Sequence, residues 1–322
     1  MGRSALLRTR SLLRPRVGAV LALVDPALAG HVTGVHDFRV AARSLRAAVR
    51  TLSRHPDAAV VRNTKRRLRA GIRSLADARD RDVGRSLIVR IPPGSGIDLA
   101  LKRRILGLSE SDRRLALARC AAHWPGGLDP LLIELLKRGE PSLDTVIRRT
   151  RAEAWRQRRR AIDLIDHLGR RYDPVRLHDL RRRVRGLRYA IEVLAEVDSA
   201  AQARVIQIKP LQSALGDTQD RIVLSRWLMR QSTRFRRSDP ALSRALRQQG
   251  AHFRRQSARA HAAFLKLRPG AILERLALHV NPSSDAPHPA KAAKRVRPRS
   301  PVPDRRAGSR RRPGRPGRAA LS

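Results

Sequence analysis

Cysteine, aromatic and acidic residues are scarce in this 322-residue chain, and each shortage excludes a class of protein. The single cysteine, Cys120, excludes an internal disulfide framework and any metal or iron–sulfur site built from several cysteines. Aromatic residues make up 3% of the chain, which argues against stacking platforms for nucleic-acid bases. With 27 Asp and Glu, an enzyme that gathers Mg²⁺ on several carboxylates is disfavoured. No apolar run is long enough to span a bilayer, so we predict no membrane partner.

The N-terminal segment admits two interpretations. Arg8, Arg10, Arg14 and Arg16 precede the apolar run 17–24, and Ala27-Leu28-Ala29 resembles a cleavage site, as in a secretory signal. The run is short and ends at Asp25-Pro26. We therefore favour an amphipathic first helix that buries one set of apolar residues: Leu6, Leu7, Leu12, Leu13, Val20 and Val24.

Positive charge is what the chain has in excess: 71 Lys and Arg give a formal net charge of +44. Residues 281–322 contribute 12 of these with many Pro and Gly, so we predict a disordered basic tail there. The remaining residues, 1–280, hold 59 basic and 25 acidic residues, a net charge of +34. A compact fold with this charge must separate its cations or meet a polyanion.

Within 1–280, apolar residues recur at spacings of three and four, which predicts helices. Breaks are expected at five places rich in Pro or Gly: 55–57, 91–94, 124–127, 139–141 and 173–174. At the last of these, Asp173 is expected to cap a helix that has Pro174 in its first turn. Several helices joined by short loops predict an all-α bundle architecture.

An internal repeat divides the chain. Segment 35–52 aligns without gaps to 177–194, with eight of 18 positions identical. A weaker repeat follows in the same order, 74–84 against 214–224, and pairs Asp80 with Asp220. Because both repeats have nearly the same offset, we predict a duplicated helical unit. The predicted halves are residues 1–145 and 146–280, followed by the tail, 281–322.

Each copy of the repeat places a cationic stripe beside an apolar one. The spacings of three and four align the following residues on one helix face: His36, Arg39, Arg43, Arg46 and Arg50 in the first copy, and His178, Arg181, Arg185 and Arg188 in the second. The next helix of the first half adds Lys65, Arg69 and Arg73 at compatible spacings, and Lys209 is a further candidate contact.

From His36 to Arg50 and from His178 to Arg188 these stripes carry no Glu, although like charges four residues apart destabilise a helix by about a few tenths of a kcal/mol per pair. A solvated helix face could also carry such charge, but here the same register occurs twice with a histidine at its head. Arginine suits phosphate because its planar fork donates two hydrogen bonds and stays protonated. The stripes therefore predict a phosphate-rich anion as ligand, with the two histidines as donors whose charge rises at mildly acidic pH.

The motifs around these stripes resemble those of CHAD domains, the conserved histidine α-helical domains. The resemblance rests on His-x-x-Arg-Val-x-x-Arg-x-Leu-Arg at 36–46, Arg-Asp-x-Asp-Val at 79–83, the matching segment at 177–189 and Leu-Gln-x-x-Leu-Gly-Asp at 211–217. It covers about residues 5–275. It implies two four-helix bundles related by a pseudo-twofold axis around a basic central cavity that binds inorganic polyphosphate. It further implies a cytoplasmic protein at polyphosphate granules.

Three positions depart from the family pattern. Gln219 stands where Asn is frequent, and Arg182 and Arg183 add charge where small or apolar residues are usual. These additions leave open which arginines face the cavity.

Two other functions were weighed. Nucleic-acid binding through the tail is the alternative, because Arg312-Pro313-Gly314-Arg315-Pro316 contains the core of a minor-groove AT-hook segment. A phosphate-hydrolysing or phosphate-transferring enzyme is disfavoured, because the sequence shows no phosphate-cradling Gly-rich loop, no carboxylate cluster and no Ser or Cys beside a base. We therefore predict no enzymatic activity, no cofactor and no metal, with Cys120 buried and inert.

Overall fold

The computed structural model describes residues 11–92 and 97–276, and every regular element within them is a helix. The helices follow in the order α1 Leu13–Ala22, α2 Val24–Leu28, α3 Val32–Leu52, α4 Ala59–Ser74, α5 Ala76–Val89, α6 Leu99–Ala122, α7 Leu128–Lys137, α8 Leu143–Leu168, α9 Pro174–Ala195, α10 Ala200–Arg234, α11 Pro240–Lys266 and α12 Pro269–Arg275. The predicted all-α class is confirmed. In this part of the chain, no helix is both long and apolar enough to cross a membrane.

The predicted breaks separate helices as expected. Asp173 accepts hydrogen bonds from the backbone N–H groups of Val175 and Arg176, and Pro174 is the first residue of α9. One proline was not expected where it lies, because Pro210 is inside the long helix α10. Of the predicted first helix, Leu12, Leu13 and Val20 are buried, and Leu6 and Leu7 lie outside the described residues together with the tail.

The apolar stripes of the repeat form the centres of two hydrophobic clusters. Every member of both stripes is buried: Val35, Phe38, Ala42, Leu45, Val49 and Leu52 on α3, and Leu177, Leu180, Val184, Leu187, Ile191 and Leu194 on α9. The α3 stripe packs in a cluster with α1, α4 and α7. The α9 stripe packs in a second cluster with α8 and α10. Burying these stripes fixes the rotation of each helix and hence the direction of its charged face.

The clusters also contain residues from both predicted halves. Val193 of α9 belongs to the α3 cluster, and helix α8 contributes Val146 to that cluster and Ala154 to the second one. A third cluster joins Ile88 and Ile105 to Trp227 and Leu246. The two halves thus share packed interfaces, and helices α3 and α9 pack against each other. The boundary near residue 145 and the pseudo-twofold relation of two four-helix bundles stay predictions.

Gly34 lies in the first turn of α3, where the backbone of α2 approaches it closely. A Cβ atom at position 34 would lie 2.6 Å from the carbonyl oxygen of Pro26, a backbone atom that cannot rotate away. A Cβ atom added at Gly18, within α1, would have no atom within 4 Å of it. Of these two glycines, Gly34 alone permits a close backbone contact, and its contact with α2 fixes the start of α3.

We expect Gly34→Ala to lower the free energy of unfolding by about 1 to 3 kcal/mol, since an added methyl group must displace packed backbone. Gly18→Ala is the matched control, and we expect it to raise stability by about 0.5 to 1 kcal/mol through helix propensity. Denaturant unfolding of both variants measures the difference. Equal stability of the two variants would contradict the packing described for α3.

Candidate functional site

A cavity lies between α3, α4, α8 and α9, and we call it the central cavity. Its wall includes Arg43 and Arg46 of α3, Lys65 of α4 and Arg185 of α9. Helix α8 closes it with uncharged and acidic side chains: Thr150, Glu153 and Gln157. The charged faces of α3 and α9 therefore meet at one concavity.

Three arginines of the predicted stripes lie in this wall without protein partners among the described residues. In the part of the chain that the structure describes, Arg43, Arg46 and Arg185 make no hydrogen bond or ion pair, and the buried Nε of Arg46 has no acceptor. Of the residues of this wall, Glu153 alone is acidic, and its carboxylate binds Arg156 at 2.6 Å and Gln157 at 2.7 Å. Because buried polar groups are normally paired, these donors are available to an external acceptor.

Burial and repulsion between neighbouring positive charges both lower the pKa values of these three arginines. Burial, followed by the charges of Arg43 and Arg181, lowers the pKa of Arg185 to about 9. Burial also lowers the pKa values of Arg43 and Arg46, with other guanidinium groups contributing to both shifts. All three groups stay charged at neutral pH, so the cavity concentrates positive charge at a cost in stability.

Arg39 and Arg181 differ from these three because carboxylates lie near them. Arg39 is buried at 6% exposure and donates from Nη1 to the carbonyl oxygen of Ile72. Burial, followed by the charge of Arg43, lowers its pKa, Asp80 acts in the opposite direction, and the resulting pKa is about 10. Arg181 lies 3.8 Å from Asp220, the residue that the sequence repeat pairs with Asp80. Both arginines are thus partly neutralised within the protein.

The carboxylates Asp80 and Asp220 are themselves affected by burial. Burial raises the pKa of each, and the facing guanidinium groups of Arg39 and Arg181 oppose that shift. The charge of Asp220 also contributes to raising the pKa of Asp80, and the charge of Arg79 opposes the rise at Asp220. The second sequence repeat therefore supplies acidic groups next to the basic stripe.

The remaining predicted residues fall into two groups. Arg69 and Arg73 lie near enough to Arg46 to lower its pKa, and so flank the cavity on α4. The other group does not line the cavity: Arg50 pairs with the exposed Asp57 at 2.7 Å, Arg188 lies 3.3 Å from Glu192, and Lys209 is exposed on α10. The helical register predicted the helix face on which these side chains lie. It did not predict the carboxylates that pair with Arg50 and Arg188.

Both histidines lie on the cationic faces near their helix starts. Loss of hydration is the first cause that lowers the pKa of His36, followed by the charge of Arg79. For His178, loss of hydration again comes first, and Arg181 and Arg182 lower the pKa further. Neither imidazole is assembled into a metal site, because residues 11–92 and 97–276 contain no group of three or more His, Cys, Asp or Glu side chains that could hold an ion.

Several residues of the cavity were not among the predicted contacts. Arg182 and Arg183, noted in the sequence only as departures from a family pattern, both line it. Tyr189 also lines it, and the guanidinium of Arg188 lies 5.1 Å from its ring centroid. Gly186 permits the approach of α8, since a Cβ there would lie 3.2 Å from the side chain of Gln157. The sequence signal for Arg182 and Arg183 was their excess charge.

Comparison with known proteins agrees with this architecture. The family model described as "CHAD domain" matches residues 11–229, more than half of the chain, and the chain belongs to that family. The crystal structure of the CHAD domain from the plant Ricinus communis is similar with a TM-score of 0.64 and 18% identity, over 82% of this chain and 90% of that one. PptA from Streptomyces chartreusis is similar with a TM-score of 0.62 and 18% identity, over 80% and 96%. No curated protein sequence matches the chain.

We expect the imidazole of His36 to titrate below the ordinary value of 6.5 in the free protein, and His178 likewise. Arg79→Ala should raise the pKa of His36, because it removes a nearby positive charge, and should leave that of His178 in place. NMR titration of the ring protons measures both values in one sample, with His178 as the internal control. Equal shifts of both histidines, or none, would refute the assigned cause.

Proposed function

We propose that the chain binds inorganic polyphosphate in the central cavity and does so without catalysing a reaction. The observation that carries the proposal is the convergence of Arg43 and Arg46 from α3 with Arg185 from α9, all without protein acceptors among the described residues. Guanidinium donors in such a place bind phosphate oxygens strongly, because each contact is both a hydrogen bond and an ion pair.

A linear polyanion suits the site better than a single phosphate ion. The cationic groups extend along α3 and α9, from the histidines near the helix starts through Arg39 and Arg181 to Arg46 and Arg185. A chain of phosphates can meet these groups in succession and release its own counterions at each contact. The helical register, repeated in both halves of the sequence, supports this form of ligand.

The absence of enzymatic activity is part of the same proposal. The wall of the cavity offers guanidinium, ammonium, amide and hydroxyl groups, and its one carboxylate, Glu153, is engaged by Arg156. Cys120 is buried in the hydrophobic cluster of α3, away from the wall, and burial raises the pKa of its thiol. These groups can position and neutralise a polyanion. We further propose a cytoplasmic location at polyphosphate granules, as the family resemblance implies.

We expect Arg43→Ala/Arg185→Ala to weaken the binding of long-chain polyphosphate by at least about a hundredfold, since each charge-assisted hydrogen bond contributes about 1.5 to 3 kcal/mol. The slope of log affinity against log salt should become shallower by about 1.4, from about 0.7 for each lost contact. Titration of the full chain across a salt series measures both quantities.

The matched control is Arg103→Ala/Arg114→Ala on α6, which removes the same charge from exposed side chains without protein partners in the described chain. The affinity of this control for polyphosphate should stay close to that of the wild type. Excess duplex DNA should not displace polyphosphate from the control or from the wild type. Equal losses in the two double variants would show that net charge alone attracts the ligand. Displacement by DNA would favour nucleic acid as the ligand.

A further inference from the structure

A second basic groove lies on the outer side of α8 and α9, and we call it the outer groove. Its cationic side chains are Arg160 from α8 and Arg176, Arg182 and Arg183 from α9, and His167 of α8 also lines it. We propose that the outer groove continues the polyanion track of the central cavity and holds the part of a long polyphosphate that extends beyond the cavity. This inference rests on the proposed function of the cavity.

The first argument is continuity. Arg182 and Arg183 line both the central cavity and the outer groove. Because successive residues of a helix point about 100° apart, this pair presents guanidinium groups over a wide arc of α9. A flexible anion leaving the cavity over Arg182 and Arg183 therefore reaches a groove that holds further arginines.

The second argument is the balance of charge within the outer groove. Arg160 and Arg183 make no hydrogen bond or ion pair in the described part of the chain, and the charge of Arg160 contributes to lowering the pKa of Arg183, after burial. Two carboxylates are present, Asp163 and Asp179, and Asp179 already lies 3.2 Å from Arg182. The excess of cations over anions leaves this surface in need of an anionic partner.

The third argument is that one cation is fixed in place. Arg176 donates from Nη1 to the carbonyl oxygen of His167 at 3.1 Å and lies 3.5 Å from Asp173. These contacts hold the guanidinium at the junction of α8 and α9, at the edge of the groove. A side chain already immobilised loses little further entropy when an anion binds.

The consequence is a dependence on polymer length. A short anion occupies the central cavity alone, whereas a long one also contacts Arg160 and Arg176, which do not line the cavity. Affinity should therefore rise with chain length, and removal of the outer contacts should affect long polymers alone.

The experiment compares tripolyphosphate and long-chain polyphosphate on the full chain with Arg160→Ala/Arg176→Ala. We expect the affinity for the long polymer to fall roughly tenfold, as for two exposed ionic contacts, with a salt slope shallower by about 1.4. Tripolyphosphate affinity should not change. Arg103→Ala/Arg114→Ala again supplies the matched loss of charge and should leave both affinities in place.

Because Arg176 also holds the α8–α9 junction, the single variant Arg160→Glu provides a test that removes no protein contact. It should weaken the long polymer selectively while leaving the midpoint of thermal unfolding unchanged. If both polymers were affected equally, or if the affinity for the long polymer matched that of the control, the assignment of the outer groove as a polyphosphate site would be overturned. The proposal would also be overturned if Arg160→Glu lost binding of a single-stranded oligonucleotide while it retained binding of polyphosphate. A wild type that binds neither polyphosphate would instead refute the proposed function itself.

Discussion

Repulsion between guanidinium groups across the contact of α3 and α9 is the constraint on which the rest of the structure depends. Arg43 and Arg185 come from opposite predicted halves. The charge of Arg43 contributes to lowering the pKa of Arg185, and the charge of Arg181 lowers the pKa of both. Neither arginine forms an ion pair with a carboxylate among the described residues. In partly desolvated surroundings such repulsion is weakly screened. The fold therefore holds together a charge distribution that only an anion from outside can neutralise.

Hydrophobic packing of the apolar stripes opposes this repulsion. The stripes that begin at Val35 and Leu177 are buried throughout, and their burial fixes the rotation of α3 and α9 about their axes. With the apolar faces fixed, the direction of each cationic face is fixed as well, and arginines from both faces line the central cavity. Asp80 and Asp220 relieve part of the repulsion at Arg39 and Arg181. Arg43, Arg46 and Arg185, farther along the stripes, form no ion pair among the described residues and so remain for the proposed ligand.

Helical periodicity was sufficient to predict the all-α class, the main breaks and the buried faces of both repeated helices. It also predicted that Arg43, Arg46 and Arg185 share a surface, because their register follows directly from the apolar stripes. It could not predict that Arg50 and Arg188 would find Asp57 and Glu192, since such pairs depend on rotamers and on neighbouring elements. Nor could it place Arg182 and Arg183, because their position depends on how closely α8 approaches α9 at Gly186.

The most direct measurement of the central constraint is a double-mutant cycle on unfolding free energy with Arg43→Gln and Arg185→Gln. If the two groups repel each other, each single substitution stabilises the free protein, and the double variant gains less than the sum, by about 0.5 to 1 kcal/mol. Saturating polyphosphate should reduce or reverse this coupling, because the anion then lies between the two charges. Additive effects in the free protein, unchanged by polyphosphate, would contradict the account.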